Sequence, residues 1–194
     1  MKKWIWAGLL LVLTGCSQEG LTIEPVELEE EEQALINKTA METFHLYEVD
    51  GTIPEGADLV IKAEHYVNGE PANDLFAVGA FLEETLDEAL FSFGKSTVIG
   101  GAEAFVIGTP SGKSESYTET ESDGMQATWG GLLTGETELE LEKPLYTAYY
   151  AKESGNGIRS GNYLTPAGEL NLEGIREFEH FYVMSMTLTE EGLE

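Results

Sequence analysis

The sequence predicts an all-β protein: an antiparallel β-sandwich or open barrel of about nine or ten strands, preceded by a flexible tether and one short helix. Three observations lead to this fold class. From Phe44 onward, apolar and polar residues alternate with the two-residue period of a strand. Turn-forming pairs such as Asp123-Gly124 separate the alternating stretches at roughly ten-residue spacing. The last stretch, from Phe178 to Leu188, is apolar on both faces, as a central strand covered by two layers requires.

The N-terminal region has the layout of an export signal. Lys2 and Lys3 precede an apolar stretch from Trp4 to Leu13, and small residues lead to Cys16, the one cysteine of the chain. The apolar stretch is about half of the ~20 residues that a membrane-spanning helix needs. We therefore predict a signal peptide over residues 1–15 rather than a transmembrane helix.

The run Leu13-Thr14-Gly15-Cys16 resembles the lipobox of bacterial lipoproteins, with Leu13, Gly15 and Cys16 at the matching positions. The resemblance implies cleavage before Cys16, lipidation of its thiol, and a mature protein anchored at the extracytoplasmic face of the cell membrane. The alternative is a chance cysteine at the end of an ordinary signal peptide, but lipidation explains why an exported chain has one unpaired cysteine. In general character, the rest of the chain is similar to small lipoproteins of Gram-positive bacteria.

Three further parts follow the signal peptide. Residues 16–26 are expected to carry the lipidated cysteine and a polar tether. Residues 27–40 are expected to form a short acidic helix, because glutamates in its first turn suit the helix dipole and Leu28, Leu35 and Ile36 fall near one face. Residues 41–190 are expected to form the β-sandwich domain.

Three stretches set the expected faces of the sandwich. Glu136–Glu142 alternates strictly, so Leu139 and Leu141 are expected in the core and Glu138 and Glu140 in water. The core face of a second stretch, which ends at Asn68-Gly69, comprises Leu59, Ile61, Ala63, His65 and Val67. The core face of the central strand comprises Phe178, His180, Tyr182, Met184, Met186 and Leu188.

The remaining strands are expected between turn signals. Their ranges are 75–82, 89–93, 104–108, 114–121, 125–133, 145–151 and 158–164. The stretch 82–90 fits a short helix as well as a strand. A hairpin closed by Asp123-Gly124 is expected to join 114–121 to 125–133.

The chain is strongly acidic, with 36 Asp and Glu residues against 10 Lys and Arg residues. Loss of Lys2 and Lys3 with the signal peptide leaves 8 basic residues and a formal charge of −28 on the mature protein. This charge argues against nucleic acid as a partner, because nucleic-acid affinity comes chiefly from Lys and Arg. Two interpretations remain: a soluble, salt-tolerant surface, or capture of cations or a basic partner. The run Glu29–Glu32 is likewise either a solvated first turn or a docking patch.

No residue set predicts catalysis, a metal site or a cofactor. Ser92 and Lys95 have Ser-x-x-Lys spacing, but the companion motifs Ser-Asp-Asn and Lys-Thr-Gly do not occur, so we interpret Lys95 as a turn lysine. His45, His65 and His180 lack the spacing of metal ligands, although the strands of His45 and His65 could be neighbours. Carboxylates are too abundant for a glycosidase-like pair to stand out, and the Asp-Gly turns lack the ligand spacing of a calcium loop.

The predicted binding surface centres on the hairpin between residues 114 and 129. Ser114–Glu121 is polar on both faces, which places it at a sheet edge or in a projection. Tyrosines, whose amphipathic rings suit contact surfaces, lie nearby in the sequence. The alternative is an ordinary edge strand with core or boundary tyrosines. The predicted residues are Tyr117, Glu119, Glu121, Trp129, Tyr146, Tyr149 and Tyr150.

These observations favour a non-enzymatic, lipid-anchored β-domain that binds or assists another component of the cell envelope, either a protein or a polymer. The alternatives are a small envelope hydrolase and a cation-binding acidic surface protein. We expect contact with the membrane through the lipid on Cys16, and neither a cofactor nor a nucleic acid.

Overall fold

Two antiparallel β-sheets of six strands each form the fold, which confirms the predicted all-β sandwich. The structure is a computed structural model that describes residues 20–72, 74–80, 85–98, 102–118, 125–154 and 161–190. The elements in chain order are β1 (Thr22–Pro25), α1 (Glu30–Ile36), β2 (Met41–Thr52), β3 (Asp58–Val67), β4 (Glu70–Pro71), β5 (Phe76–Ala80), β6 (Thr85–Thr97), β7 (Glu103–Thr109), β8 (Gly112–Thr118), β9 (Gln126–Gly131), β10 (Thr137–Glu138), β11 (Leu145–Glu153), α2 (Leu172–Ile175) and β12 (His180–Thr189).

The first sheet has the strand order β10-β1-β2-β6-β7-β8. The second has the order β4-β3-β12-β11-β9, and β5 follows β4 along the same edge of β3. The described residues thus contain twelve strands, more than the nine or ten expected. The excess comes from the short strands β1 and β4, whose two to four residues are too few for a clear alternation.

Strand β12 is central in its sheet, as its two apolar faces predicted. It lies between β3 and β11 and pairs with all of β3, from His180 opposite Val67 to Thr189 opposite Asp58. One face of β12, which includes Tyr182 and Met184, packs in the main core between the sheets. The other face packs against a second, smaller core.

The second core covers the outer face of the second sheet. Ile175 of α2, together with Tyr163 and Phe178 from the connecting segments, clusters around Phe181 of β12. The side chain of Asn171 caps α2 by accepting a hydrogen bond from the Gly174 N–H at 3.2 Å. Placing Phe178 on the same core face as His180 was therefore wrong, because β12 begins only at His180.

The tether is shorter than predicted, since residues 22–25 form strand β1. This strand pairs with β2 and β10, and Leu21 and Ile23 are buried in the main core. Gly51 lies against the backbone of Gly20 with a positive φ of 118°, and a Cβ at Gly51 would collide with the Gly20 carbonyl oxygen. The chain therefore enters the sandwich beside Gly51.

The predicted acidic helix is present but shorter, as α1 covers only Glu30–Ile36. The N–H of Glu29 donates to Glu32 Oε2 at 2.9 Å and helps to fix the first turn. No residue of the helix is buried, and Leu35 is exposed. The expected apolar face of the helix is therefore not packed into the core.

Leu139 is in the core as predicted, but Leu141 is not. Strand β10 ends at Glu138, and the Leu139 N–H donates to the Leu21 carbonyl oxygen at 2.8 Å. Leu141 instead bridges to Leu188 of the second sheet and is 44% exposed. The strict alternation does not continue as a strand because the chain crosses between the sheets here.

Two further expected ranges are only partly described. In the range 158–164, residues 158–160 lie outside the described residues, and Leu164 forms a single bridge to Leu170. In the range 82–90, residues 82–84 lie outside them, and β6 runs from Thr85. The described part of 82–90 is therefore a strand.

Candidate functional site

Two of the predicted binding residues are exposed and three are not. Tyr117 and Trp129 are 59% and 52% exposed. Tyr146 and Tyr150 are buried, and Tyr149 packs in the second core, so these three tyrosines do not form the predicted surface. The other predicted residues, Glu119, Glu121, Leu13, Gly15 and Cys16, lie outside the described residues.

The predicted hairpin is divided between the two sheets. β8 pairs with β7 in the first sheet, whereas β9 pairs with β11 in the second. β8 lies close to β5, since Ser116 Oγ donates to the carbonyl oxygen of Leu75 at 3.0 Å. β9 is at the opposite end of the second sheet, separated from β3 by β12 and β11. Tyr117 and Trp129 therefore do not share one binding surface, and the expected pairing was wrong.

Strand β9 is an edge strand without a charged residue. Its sequence is Gln-Ala-Thr-Trp-Gly-Gly, and within the described residues only β11 pairs with it. Edge strands present unpaired N–H and C=O groups, which proteins usually protect with charges, prolines or bulges. β8 carries such protection in Lys113 and Glu115. The free edge of β9 has none and is open to pairing.

A pocket of about 140 Å³ lies beside the last residue of β9. It is enclosed by the end of β1, the helix α1, strand β2 and Gly131, and we call it the His45 pocket. Its lining includes Leu28, Gln33, Phe44 and Tyr47, and no charged residue lines it. An uncharged concavity is unusual on so acidic a protein and suits an uncharged group.

His45 is the lining residue of this pocket whose ordinary pKa lies nearest to neutral pH. Burial lowers the pKa of its imidazole, so the ring is neutral at neutral pH. Its Nε2 is buried without a hydrogen-bond partner in the described part of the chain. A Cβ at Gly131 would lie 3.9 Å from His45 Nδ1, an ordinary contact distance. A side chain at position 131 would therefore begin at contact distance from the His45 ring, at the edge of the pocket.

Trp129 and the His45 pocket are adjacent. Alternation along β9 puts Ala127, Trp129 and Gly131 on one face, and Ala127 packs against the main core while Gly131 lines the pocket. Residues two apart on one face of a strand are about 7 Å apart. An exposed aromatic ring, an open backbone edge and an uncharged pocket thus form one continuous surface.

A buried ionic cluster joins the two sheets at one end of the interior. Its centre is Glu103 of β7, whose Oε1 lies 2.8 Å from both Lys95 Nζ and Lys152 Nζ. Lys95 Nζ also lies 2.6 Å from Glu42 Oε2 and 4.7 Å from the centre of the Tyr150 ring. The Tyr150 hydroxyl donates to Glu103 Oε1 at 3.3 Å. We call these five residues the ionic cluster.

The side chains of the ionic cluster stabilise the charged forms of their neighbours. Burial opposes the charge on Lys95, but its contacts with Glu103 and Glu42 outweigh burial and raise its pKa. Burial, followed by the charge of Glu103, raises the pKa of Tyr150 to about 12. Lys95 therefore remains protonated at neutral pH, which does not suit a lysine that must accept a proton from Ser92.

The ionic cluster was missed from the sequence, because Lys95 was interpreted as a turn lysine. Lys95 in fact continues the core face of Phe91 and Phe93, and Glu103 shares the core face of Phe105. The sequence signal that could have revealed the cluster is a charged residue at the end of an apolar, alternating strand face. Two such faces with opposite charges indicate a buried pair.

His65 and His180 form a pair at the same end of the sandwich. His65 Nε2 and His180 Nδ1 are 3.0 Å apart, and the His65 ring stacks on Tyr182. Burial, followed by His180, lowers the pKa of His65 to about 4, while burial, followed by Lys152, lowers that of His180. His45 lies in the other sheet, so the strands of His45 and His65 are not neighbours. No group of three metal-ligating side chains occurs among the described residues.

No family model, curated protein or solved structure matches this chain. Neither helix in the described residues is long and apolar enough to cross a membrane. The residues and geometry of the chain itself are therefore the grounds on which its function is inferred.

Proposed function

We propose that this protein is a lipid-anchored extracytoplasmic β-domain with a non-enzymatic binding role in the cell envelope. The residues Leu13, Gly15 and Cys16 support the anchor and the location. The adjacency of Trp129, the uncharged β9 edge and the His45 pocket supports the binding role, and this observation carries the proposal. Binding sites combine aromatic contact residues with a concave, largely uncharged surface.

The chemistry of the buried groups favours binding over catalysis. Lys95, Glu103 and Lys152 are only 2%, 3% and 3% exposed, so a substrate would have to open the sandwich to reach them. Lys95 and Lys152 are both at ion-pair distance from Glu103, which makes them poor nucleophiles. The exposed Trp129, by contrast, is available to a partner without any rearrangement.

The test of the anchor is membrane fractionation of cells that express the full chain. Wild-type protein is expected in the membrane fraction with acyl groups on Cys16. The Cys16→Ala variant should be released from membranes or remain an uncleaved precursor, whereas Ser17→Ala should behave as wild type. A membrane-bound, acylated Cys16→Ala variant contradicts the anchor.

The test of the binding role is crosslinking in the same intact cells. Wild-type protein is expected to yield a reproducible crosslinked partner from the envelope. The absence of any crosslinked partner, or hydrolysis of an envelope substrate by the purified full chain, contradicts the binding role.

A further inference from the structure

We propose that β9 is a docking edge that takes up an extended segment of a partner protein by strand addition, with one partner side chain in the His45 pocket. The inference rests on the proposed binding function and specifies its partner. Strand addition draws affinity from main-chain hydrogen bonds and specificity from pockets that accept alternate side chains. β9 and the His45 pocket supply these two parts side by side.

The other sheet edges are protected. In the first sheet, β10 carries Glu138 and β8 carries Lys113 and Glu115. In the second sheet, β4 carries Glu70 and Pro71. β5 is uncharged, but β8 of the first sheet lies against its start through the hydrogen bond from Ser116 to the Leu75 carbonyl oxygen. Among the described strands, β9 therefore combines an uncharged sequence with a free edge that no other strand approaches in this way.

The size and lining of the His45 pocket define the side chain that it can accept. A cavity of roughly 150 Å³ holds one benzene molecule, so a pocket of about 140 Å³ suits a single compact side chain such as leucine. The lining carries no charge and combines apolar side chains such as Leu28 with the polar groups of Gln33 and His45, so it favours an uncharged side chain. Gly131 has no side chain that could block the pocket on the side of β9. The exposed Trp129 ring is available to the adjacent part of the partner strand.

The charge of the protein defines the rest of the partner segment. With 36 acidic against 10 basic residues, the surface attracts basic chains and repels acidic ones. Complementary charge accelerates association and suppresses unsuitable partners. The partner segment is therefore extended, basic at its solvent-facing positions, and uncharged and compact at the one position that meets the pocket.

The probe is a peptide of about ten residues, the usual length of a long strand, that alternates lysine and threonine around one central leucine. The full chain carries Trp4→Phe and Trp6→Phe, which leaves Trp129 as its single tryptophan, and is titrated in detergent micelles. Binding is expected to change the Trp129 emission. A peptide with glutamate in place of lysine is expected to bind at least about tenfold more weakly.

Two comparisons test the strand pairing and the pocket. The same peptide with alternate backbone amides N-methylated on its pairing edge keeps its charge but loses its N–H donors, so it should bind about tenfold more weakly or not at all. Gly131→Val, which adds a branched side chain beside His45 at the edge of the pocket, should weaken binding by a similar factor. Gly135→Val, where nothing lies within 4 Å of the added Cβ, should leave affinity within about twofold of wild type.

The outcomes separate this inference from the proposed function. No emission change with the parent peptide, N-methylated peptide that binds like its parent, or unchanged affinity in Gly131→Val each overturns the docking edge. The peptide comparison stands even if Gly131→Val fails to fold. A cellular partner that is crosslinked equally by wild type and Gly131→Val overturns the docking edge but leaves the binding role intact. Peptide binding at β9 in a protein that is never acylated supports the docking edge and overturns only the anchor.

Discussion

Lys152 of the second sheet and Glu103 of the first sheet meet in the interior, with Nζ 2.8 Å from Oε1. Lys95 lies at the same distance from the same oxygen and also pairs with Glu42, so Glu103 is the carboxylate that the two buried ammonium groups share. Burying a charge is costly, and an ion pair tolerates burial only while both partners remain. The alignment of the two sheets at this end therefore depends on Glu103.

Glu103→Gln should lower the free energy of unfolding by about 3–5 kcal/mol, because two buried ammonium groups lose their shared carboxylate. Urea unfolding of the full chain measures this loss. The matched control is Glu140→Gln, whose pair with Lys143 at 2.6 Å is solvent-exposed and should cost no more than about 1 kcal/mol. Equal losses in the two variants would show that the buried ion pairs of Glu103 stabilise the fold no more than the exposed pair of Glu140 does.

Leu139→Ala should cost about 2–5 kcal/mol, because Leu139 is buried in the main core and its truncation leaves a cavity. Leu141→Ala, only two residues away, should cost less than about 1 kcal/mol, because that side chain is already 44% exposed and leaves no closed cavity. Chemical denaturation of both variants provides the comparison. A larger loss of stability in Leu141→Ala than in Leu139→Ala would show that Leu141 is in the core, as the alternation predicted.

Gly51→Ala should destabilise the protein more than Gly56→Ala, by about 1–3 kcal/mol. Both glycines have positive φ, so alanine is strained at either position. At Gly51 the added Cβ would also strike the Gly20 backbone, whereas nothing lies within 4 Å at Gly56. Thermal unfolding tests this order, and limited proteolysis near Leu21 should show that β1 loosens only in Gly51→Ala.

Acid should weaken the fold through His65. Its pKa is about 4 in the folded protein and 6.5 ordinarily, so between these values the unfolded chain binds more protons than the folded one. Stability therefore falls as pH drops from about 6.5 towards 4. His65 faces His180, and the charged groups that act on His180 are Lys152, Glu179 and Glu103.

The His65→Gln variant should lose less stability than wild type over this pH interval, since glutamine does not titrate. Urea midpoints at several pH values measure the difference, and the acidic residues shared by both proteins cancel in the comparison. A stability difference between the two proteins that stays constant with pH would exclude His65 as the titrating group.

The sequence predicts the sandwich well where a strand is long and its pairing follows its local pattern. The core positions of Leu59, Ile61 and Ala63 follow from alternation, because the side-chain period of a strand is fixed by backbone geometry. The central position of β12 follows from its two apolar faces. Alternation does not specify which sheet a segment joins. The Asp123-Gly124 signal suggested that its two flanking strands pair, but they belong to different sheets.

The candidate site was only partly predictable for the same reason. Trp129 was identified as a contact residue, and Tyr150 is its cross-strand partner, but Tyr150 is buried. The surface beside Trp129 is therefore formed by Gly131 and the His45 pocket. The pocket combines residues from β1, α1, β2 and β9, which are up to about a hundred positions apart in the chain. Such contacts depend on the strand order of both sheets, which no local pattern records.

The early start of β1 determines which end of the molecule faces the lipid. With Cys16 acylated as proposed, three residues separate it from Gly20, a reach of about 14 Å. β1 enters beside Asp50, and β2 extends from there to Met41, about 30 Å away. The ionic cluster and Gln126, the first residue of β9, lie towards that distant end. With the proposed anchor, the start of the docking edge would thus lie on the half of the domain away from the membrane attachment point, where a partner segment could approach it.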